Sequence, residues 1–422
     1  MLKSIQLFCI ILITICYSCT TPKEEVEEKV NVNALSESEL LAYATKLAQE
    51  TIMVDGHVDL PYRMEVKGFM LKKAVEDVSV LTEGNFDYPK SKEGGLDAPF
   101  MSIYIPSSYY TEGGAKEFAD SLIEMTQNVA FTYPDLFALA KTPAEIEANF
   151  KLGLISLPLG MENGAPIEDD LANVEHYFNK GIRYITLTHS KDNQISDSSY
   201  DTTYTWNGIS PFGEQVVAEM NRLGIMVDIS HVTDSAFYDA LRISKAPMIA
   251  SHSSCRKYTP GFHRNMSDQM IKDLAAKDGV IHINFGSTFL SKESRDKFNA
   301  MDSVLTNYRA ETGLSRNDST YEAYAKQYAL DNDVFADVQI VADHIDNVVN
   351  LAGIDYVAFG SDFDGVGNSL PKGLKDVSMY PNIIAELLKR GYTEEDIAKI
   401  CYKNTFRVWN KVIEVASSLQ ES

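Results

Sequence analysis

The segments Asp55-Gly56-His57-Val58-Asp59 and Gly360-Ser361-Asp362-Phe363-Asp364-Gly365 stand at opposite ends of the folded part of the chain, yet carry the same kind of chemistry. Between them Glu162, His189, His231 and His252 each follow a short β-like apolar run. Side chains so far apart in sequence share a site only where the fold gathers strand ends at one place. A (β/α)8 barrel does this, because its eight strands deliver their C-terminal ends to one face. The chain is therefore read as α/β, a single (β/α)8 TIM-like barrel.

Apolar runs rich in Val, Ile and Tyr predict strands at 52–56, 100–105, 153–158, 182–188, 225–230, 248–251, 280–285 and 356–360. Helical periodicity fills the gaps at 117–130, 169–179, 213–223, 234–243, 268–276, 334–351 and 382–389. Gly224, Gly353 and Gly391 sit where C-terminal caps belong, and Thr393 opens a last helix. Neither a repeat nor a low-complexity linker breaks residues 46–415, so one domain is expected there, with 416–422 as a tail. The connection over residues 286–335, between strands seven and eight, is long for a βα loop and is expected to be an inserted loop at the catalytic face.

On this scheme His57 and Asp59 close strand one, Glu162 follows strand three and His189 ends strand four. His231, His252 and Asp362 end strands five, six and eight. All seven fall on the C-terminal side. His57 and Asp59 are two apart, so on an extended segment both reach one ion. His231 and His252 offer neutral imidazoles of the kind zinc prefers. Glu162, in Gly160-Met161-Glu162-Asn163-Gly164, can bridge two cations. Asp364 competes with Asp362, but Asp362 follows the apolar run directly and is chosen. Asp59, Glu162, Asp362 and a bridging hydroxide would balance two zinc ions, whereas one ion would leave excess negative charge in a partly dry cavity. The expected cofactor is two Zn2+ per chain, which acidify a shared water and polarise a carbonyl while Asp362 moves the proton.

The net charge of −22 argues against nucleic acid as a partner, since that needs a clustered basic surface. At the N-terminus, Lys3 and a 13-residue apolar stretch at 5–17 have the form of a signal peptide, too short to span a bilayer comfortably. Ser18-Cys19 resembles a bacterial lipoprotein cleavage site, which makes 1–18 the signal and Cys19 the lipidated membrane anchor. Ordinary secretion with an incidental Cys19 is the alternative. Residues 19–45 read as a flexible acidic tether, so the chain is expected to be lipid-anchored in a bacterial cell envelope, at the outer membrane on its periplasmic or surface face. Cys255 and Cys401 remain in the folded part, where an oxidising compartment would allow them to pair.

The ordered motifs resemble the membrane (renal-type) dipeptidases, peptidase family M19, whose members are binuclear zinc enzymes. Asp55-Gly56-His57 and Gly360-Ser361-Asp362-Phe363-Asp364-Gly365 carry the likeness, with Leu187-Thr188-His189-Ser190, Asn207-Gly208-Ile209-Ser210-Pro211-Phe212-Gly213, Met220-Asn221-Arg222-Leu223-Gly224, Asp228-Ile229-Ser230-His231-Val232, Ser251-His252-Ser253-Ser254 and Arg264-Asn265 between them. The resemblance implies that His57, Asp59 and Asp362 hold one zinc, His231 and His252 the other, and Glu162 bridges them. It also implies that His189 contacts the substrate at the tetrahedral oxyanion and that Arg264 grips the free carboxylate of a dipeptide. Arg256 is the rival for that grip, and His263 is a candidate for the pocket wall. Dimerisation is an expectation from the family alone. Val58 and Asn163 depart from the residues usual in the family, Asn and Gly, without removing a ligand. Tyr62 stands where Trp is frequent, keeping an aromatic wall against the substrate.

The expected activity is zinc-dependent hydrolysis of dipeptides by a metal-bridging hydroxide, C-terminal D-residues included. The alternatives are a binuclear amidohydrolase acting on a lactam, lactone or phosphoester, and a lipoprotein that binds peptides without catalysis. Trimming residues 292–319 is expected to change dipeptide selectivity while metal content stays put; unchanged selectivity would assign the insertion to packing or to a subunit contact.

Overall fold

The computed structural model describes residues 31–65 and 76–421. Its strands, in chain order, are β1 (Val54–Val58), β2 (Ala98–Tyr104), β3 (Phe137–Leu139), β4 (Ile155–Leu157), β5 (Leu159–Glu162), β6 (Ile182–Thr186), β7 (Met226–Asp228), β8 (Ile249–Ser253), β9 (Val280–Ile283) and β10 (Val357–Phe359). Eight of them form one parallel sheet in the order β1-β2-β5-β6-β7-β8-β9-β10. The first and last strands meet beyond the end of β10. The Asp362 N–H donates to the His57 carbonyl at 3.1 Å, and the Asp59 N–H donates to the Phe363 carbonyl at 2.8 Å. The sheet is thus a nearly closed TIM barrel with helices outside. These strands are buried almost throughout, which is why they read as apolar runs rather than as alternating patterns.

Seven of the expected strands coincide with barrel strands, but the third is displaced. Ile155–Leu157 pairs with Phe137–Leu139 in a separate two-stranded sheet, and the barrel strand is the next segment, Leu159–Glu162. Pro158 marks the join: it has no N–H to give a ladder, and its carbonyl accepts from the Met101 N–H at 2.8 Å. Glu162 is therefore the last residue of a strand, fixed by pairing with Tyr104 and Thr186 on either side.

The long connection after β9 is present, and it is helical rather than a loop. Ser287–Leu290, Lys292–Thr312 and Ser319–Asp331 fill it, with the Tyr308 and Tyr324 rings stacked at 4.0 Å. In its two longer helices Ser294, Leu305 and Ala329 are the buried residues, so the hairpin stands against the barrel by a narrow edge.

Folded structure also begins earlier than expected. Glu37–Glu50 is a helix with a capping box between Ser36 and Glu39, and it buries Leu40, Ala44, Leu47 and Ala48 beside the helix Tyr380–Lys389. At the other end Asn404–Gln420 runs through the expected tail and buries Ala416. Residues 1–18 and Cys19 lie outside the described residues. Among the described residues no helix is long and apolar enough to cross a membrane.

The terminal helix closes the N-terminal end of the barrel. Phe406, Trp409 and Val412 pack against Val54, Ala98, Phe100, Met226, Ile249 and Val280, which stand at or near the starts of their strands. The Trp409 ring lies 5.2 Å from Phe100, which lies 5.3 Å from Tyr184. Tyr184 in turn fills the interior so fully that a Cβ on Gly160 would meet its Cζ at 2.0 Å. With one end plugged, only the C-terminal mouth is left for chemistry. Trp409→Ala should lower stability by about 3–5 kcal/mol in urea unfolding; a loss below about 1 kcal/mol would mean that this ring is not a keystone of the core.

Candidate metal centre and active site

Glu162 is the hub at the open mouth. Its Oε2 lies 3.4 Å from His57 Nε2, which is itself 3.4 Å from Asp59 Oδ2. Its Oε1 lies 3.0 Å from His231 Nε2, 3.2 Å from His252 Nε2 and 3.6 Å from His189 Nε2. Donor atoms of His57, Asp59 and Asp362 stand within 4.8 Å of one another. The two oxygens of one carboxylate thus face two donor sets, and each set is assembled from different strand ends. The structure gathers all seven residues that the sequence places at the mouth.

These donors fit divalent cations. His57 Nε2 and Asp59 Oδ1 are buried without a hydrogen-bond partner, a costly state for a polar atom unless a cation meets it. His231 Nε2 and His252 Nε2 point at each other across 2.9 Å and at the same Glu162 oxygen. Electrostatics agree. Burial, and then the neighbouring Asp59, push the Asp362 carboxyl well above the usual carboxylate range. Burial also opposes charge on Glu162, but the imidazoles of His57, His189, His231 and His252 outweigh it and hold that carboxyl well below the usual range. Positive charge beside Asp362 would favour its ionised form. Nitrogen and oxygen donors without thiolate suit zinc among other divalent ions.

The ligands are themselves held. Ser251 Oγ donates to Asp228 Oδ2 at 2.6 Å and stands 2.7 Å from His252 Nδ1, so it accepts a hydrogen bond from Nδ1–H and leaves the Nε2 lone pair facing the centre. Tyr184 OH lies 2.7 Å from His57 Nδ1, and Asn284 Nδ2 donates to Asp362 Oδ2 at 2.7 Å. Asp55 is not one of the gathered donors. It accepts from the N–H groups of His57 and Ser361, both at 2.9 Å, and from the Tyr380 hydroxyl, tying β1 to the segment that follows β10. Asp364 pairs with Arg63 and accepts from the Asn85 N–H at 2.7 Å, which leaves the centre to Asp362.

Backbone strain marks the same place. His231 (φ 71°) and Asp362 (φ 62°) are both left-handed, a conformation that costs non-glycine residues on the order of 1 kcal/mol or more. Asn163, next to Glu162, has φ 82°. Its side chain donates to the Ile105 carbonyl at 2.9 Å and accepts from the Ala165 N–H at 3.2 Å. Asn is the side chain best able to stand in for glycine there.

The remaining candidates sort by position. His189 stands at the rim, its ring 4.7 Å from Tyr104 and 4.2 Å from His231. Tyr62 packs edge-on against Tyr104 at 4.8 Å, so the two tyrosines and His189 form one side of the mouth. Arg264 is buried beside the cluster, donating to Ser253 Oγ at 2.7 Å and to the His252 carbonyl at 2.9 Å, while its Nε has no partner. Arg256 is committed to Asp234 through both carboxylate oxygens. His263 is exposed, 3.7 Å from the same Asp234, and is not gathered into the site. His282 bonds the Ala250 carbonyl and Thr405, His344 bonds the Cys255 N–H and the Leu290 carbonyl, and His176 faces Asp120. Cys255 and Cys401 are buried and free.

Sequence reasoning missed Tyr104, Tyr184, Asn284 and Tyr200. Tyr104 and Asn284 end or directly follow β2 and β9, so the strand-end rule that found the histidines could have found them. Tyr184 could be suspected as a tyrosine at an inward strand position, whose hydroxyl needs a partner. Tyr200, on the loop after His189 with its ring 5.9 Å from that of His231, carries no comparable signal.

Residues 41–422 match the family described as membrane dipeptidase (peptidase family M19). Among solved structures, the "probable dipeptidase PvdM" of Pseudomonas aeruginosa is similar at 23% identity and TM-score 0.75, covering 90% of this chain and 100% of that one. A metallo peptidase from Rhodobacter sphaeroides, solved with a phosphinate mimic of the dipeptide L-Ala-D-Ala, is similar at 24% identity and TM-score 0.68, covering 86% and 99%. An amidohydrolase from Pseudomonas aeruginosa is similar at 21% identity and TM-score 0.67, covering 87% and 98%. At these identities the likenesses speak for the fold.

Gly365 offers a test of the donor geometry, because a Cβ there would stand 2.1 Å from both Asp362 Oδ1 and Asp59 Oδ2. Gly365→Ala should weaken metal retention about 10- to 100-fold on competition with a chelator, with the circular dichroism of the fold preserved. Undiminished retention would mean that these carboxylates are not ligands.

Proposed function

The chain belongs to the membrane dipeptidases, peptidase family M19, and from that premise we propose that it is a binuclear zinc enzyme hydrolysing the single amide bond of dipeptides, those with a C-terminal D-residue included. The observation that carries the reading is Glu162, with one oxygen turned to His57 and the other to His231 and His252. His57, Asp59 and Asp362 would hold one ion, His231 and His252 the other, and Glu162 would lie between. Bound there, zinc supplies Lewis acidity, lowering the pKa of water and polarising a carbonyl.

The protein's own groups do the rest. Arg264 anchors the α-carboxylate: it is a buried guanidinium with an unpartnered Nε, and its planar fork suits a carboxylate where lysine would not. An anchor hydrogen-bonded to the backbone of His252 restricts substrates to very short peptides, because a longer chain would put a neutral amide where a charge is expected. His189, at the rim with Nε2 facing inward, donates to the oxyanion that develops on the attacked carbonyl. Asp362, oriented by Asn284, accepts a proton from the attacking water and passes it to the leaving amine. Tyr62 and Tyr104 wall the substrate from solvent. Tolerance of a D-residue draws support from the L-Ala-D-Ala mimic held by the Rhodobacter sphaeroides protein. The location in this proposal, a cell envelope reached through lipid on Cys19, rests on sequence alone.

The test is metal analysis together with rates on L,L- and L,D-dipeptides and on tripeptides. Two zinc ions per active chain, loss of turnover on chelation with recovery on zinc addition, and rates at least about 100-fold lower on tripeptides are expected. Glu162→Gln should lose metal and activity together; full turnover in that variant, or no more than one ion per active chain, would remove the binuclear mechanism.

A further inference from the structure

The helix Lys292–Thr312 brings to the mouth a cation that the chemistry above does not use. Arg295 is half-buried, with its guanidinium carbon 3.5 Å from the centroid of the Phe262 ring. Phe262 packs edge-on against Phe289 at 5.6 Å, and Phe289 lies 5.5 Å from the Arg264 guanidinium carbon. Phe262 also packs against Tyr200 at 6.1 Å, whose ring is 5.9 Å from that of His231. One aromatic wall therefore runs from the carboxylate anchor to Arg295, with a candidate metal ligand along its edge.

Arg295 differs from the neighbouring cations of its helix. Lys292 is paired with Asp296 and Lys297 with Glu293, whereas Arg295 makes no ion pair among the described residues. That is notable in a chain with 22 surplus negative charges. A guanidinium held over a ring through its carbon keeps N–H donors available at its edge, and a planar carboxylate fits them. A cavity of about 250 Å³ lies beside it, lined also by Thr259, Pro260, Gly261 and Asn299 and by the paired Lys292 and Asp296.

We propose that Arg295 is a specificity-determining residue that binds a side-chain carboxylate on the C-terminal residue of the dipeptide, so that favoured substrates end in an aspartate- or glutamate-like residue. The inference rests on the dipeptidase reading and on Arg264 holding the α-carboxylate. The C-terminal side chain is the part of the substrate nearest that anchor, and it is the part that the shared aromatic wall leads toward Arg295.

The zinc-loaded protein and its Arg295→Met, Arg295→Lys and Arg295→Glu variants are compared by kcat/KM on Ala-Glu against Ala-Gln and on Glu-Ala against Gln-Ala. Wild type should favour Ala-Glu over Ala-Gln about fivefold to tenfold at low salt, less at high salt. Arg295→Met should abolish that preference, Arg295→Lys keep part of it and Arg295→Glu reverse it, while the Glu-Ala to Gln-Ala ratio does not follow residue 295. A Glu-to-Gln ratio indifferent to all three substitutions overturns the inference and leaves the dipeptidase reading standing. Zinc-loaded wild type that cleaves no dipeptide overturns both.

Discussion

A buried carboxylate with each oxygen turned to a different set of donors is the constraint on which the rest of the molecule depends. Glu162 sits among four imidazoles and near two further acids, in surroundings that would expel an isolated charge. Such a cluster is tolerable only if every member is held in place. The structure holds them through strand pairing beneath and hydrogen bonds behind: Tyr184 for His57, Ser251 and Asp228 for His252, Asn284 for Asp362. Closure of the barrel serves the same end. The bonds that join the first strand to the last run through His57, Asp59, Asp362 and Phe363, so the seam of the cylinder and one half of the centre are the same residues.

Much of this was legible because a parallel barrel places chemistry by rule. Once eight apolar runs were recognised, the polar residues that ended them had one place to go, and the structure puts them there. What the rule could not supply is the point at which a run changes partner. Residues 153–162 form a single apolar stretch, and only Pro158, lacking an N–H, separates the part that pairs with β3 from the part that enters the barrel. The helical nature of residues 287–331 was obscured for a different reason. Its helices bury few residues, so the periodicity that signals a core-facing helix is faint, and helix formation there relies on local propensity and on caps such as Ser291 and Gly313. The early helix Glu37–Glu50 was concealed by the acidic composition that precedes it, although its Ser36 and Glu39 form a capping box readable in sequence.

Two residues beside the donors act through the backbone. Asn163 occupies a left-handed position and uses its amide to pin the turn after Glu162, so it keeps the conformation that glycine would allow and adds hydrogen bonds. Val58 contributes through its backbone, which bridges to Phe363 across the seam. The hairpin formed by Lys292–Thr312 and Ser319–Asp331 acts from outside the centre. It adds no donor to the centre, and instead sets Arg295 against the wall that Phe262 and Phe289 share with Arg264.

The floor of the barrel has a consequence for how the molecule comes into being. Phe406, Trp409 and Val412, which seal the strand starts, belong to a helix near the end of the chain, and the seam needs Asp362 and Phe363. Synthesis proceeds from the other end, so a nascent chain exposes an open, unsealed cylinder until its closing segments emerge from the ribosome. Closure of the cylinder therefore waits for segments that follow every other strand, and a donor cluster built across the seam waits with it.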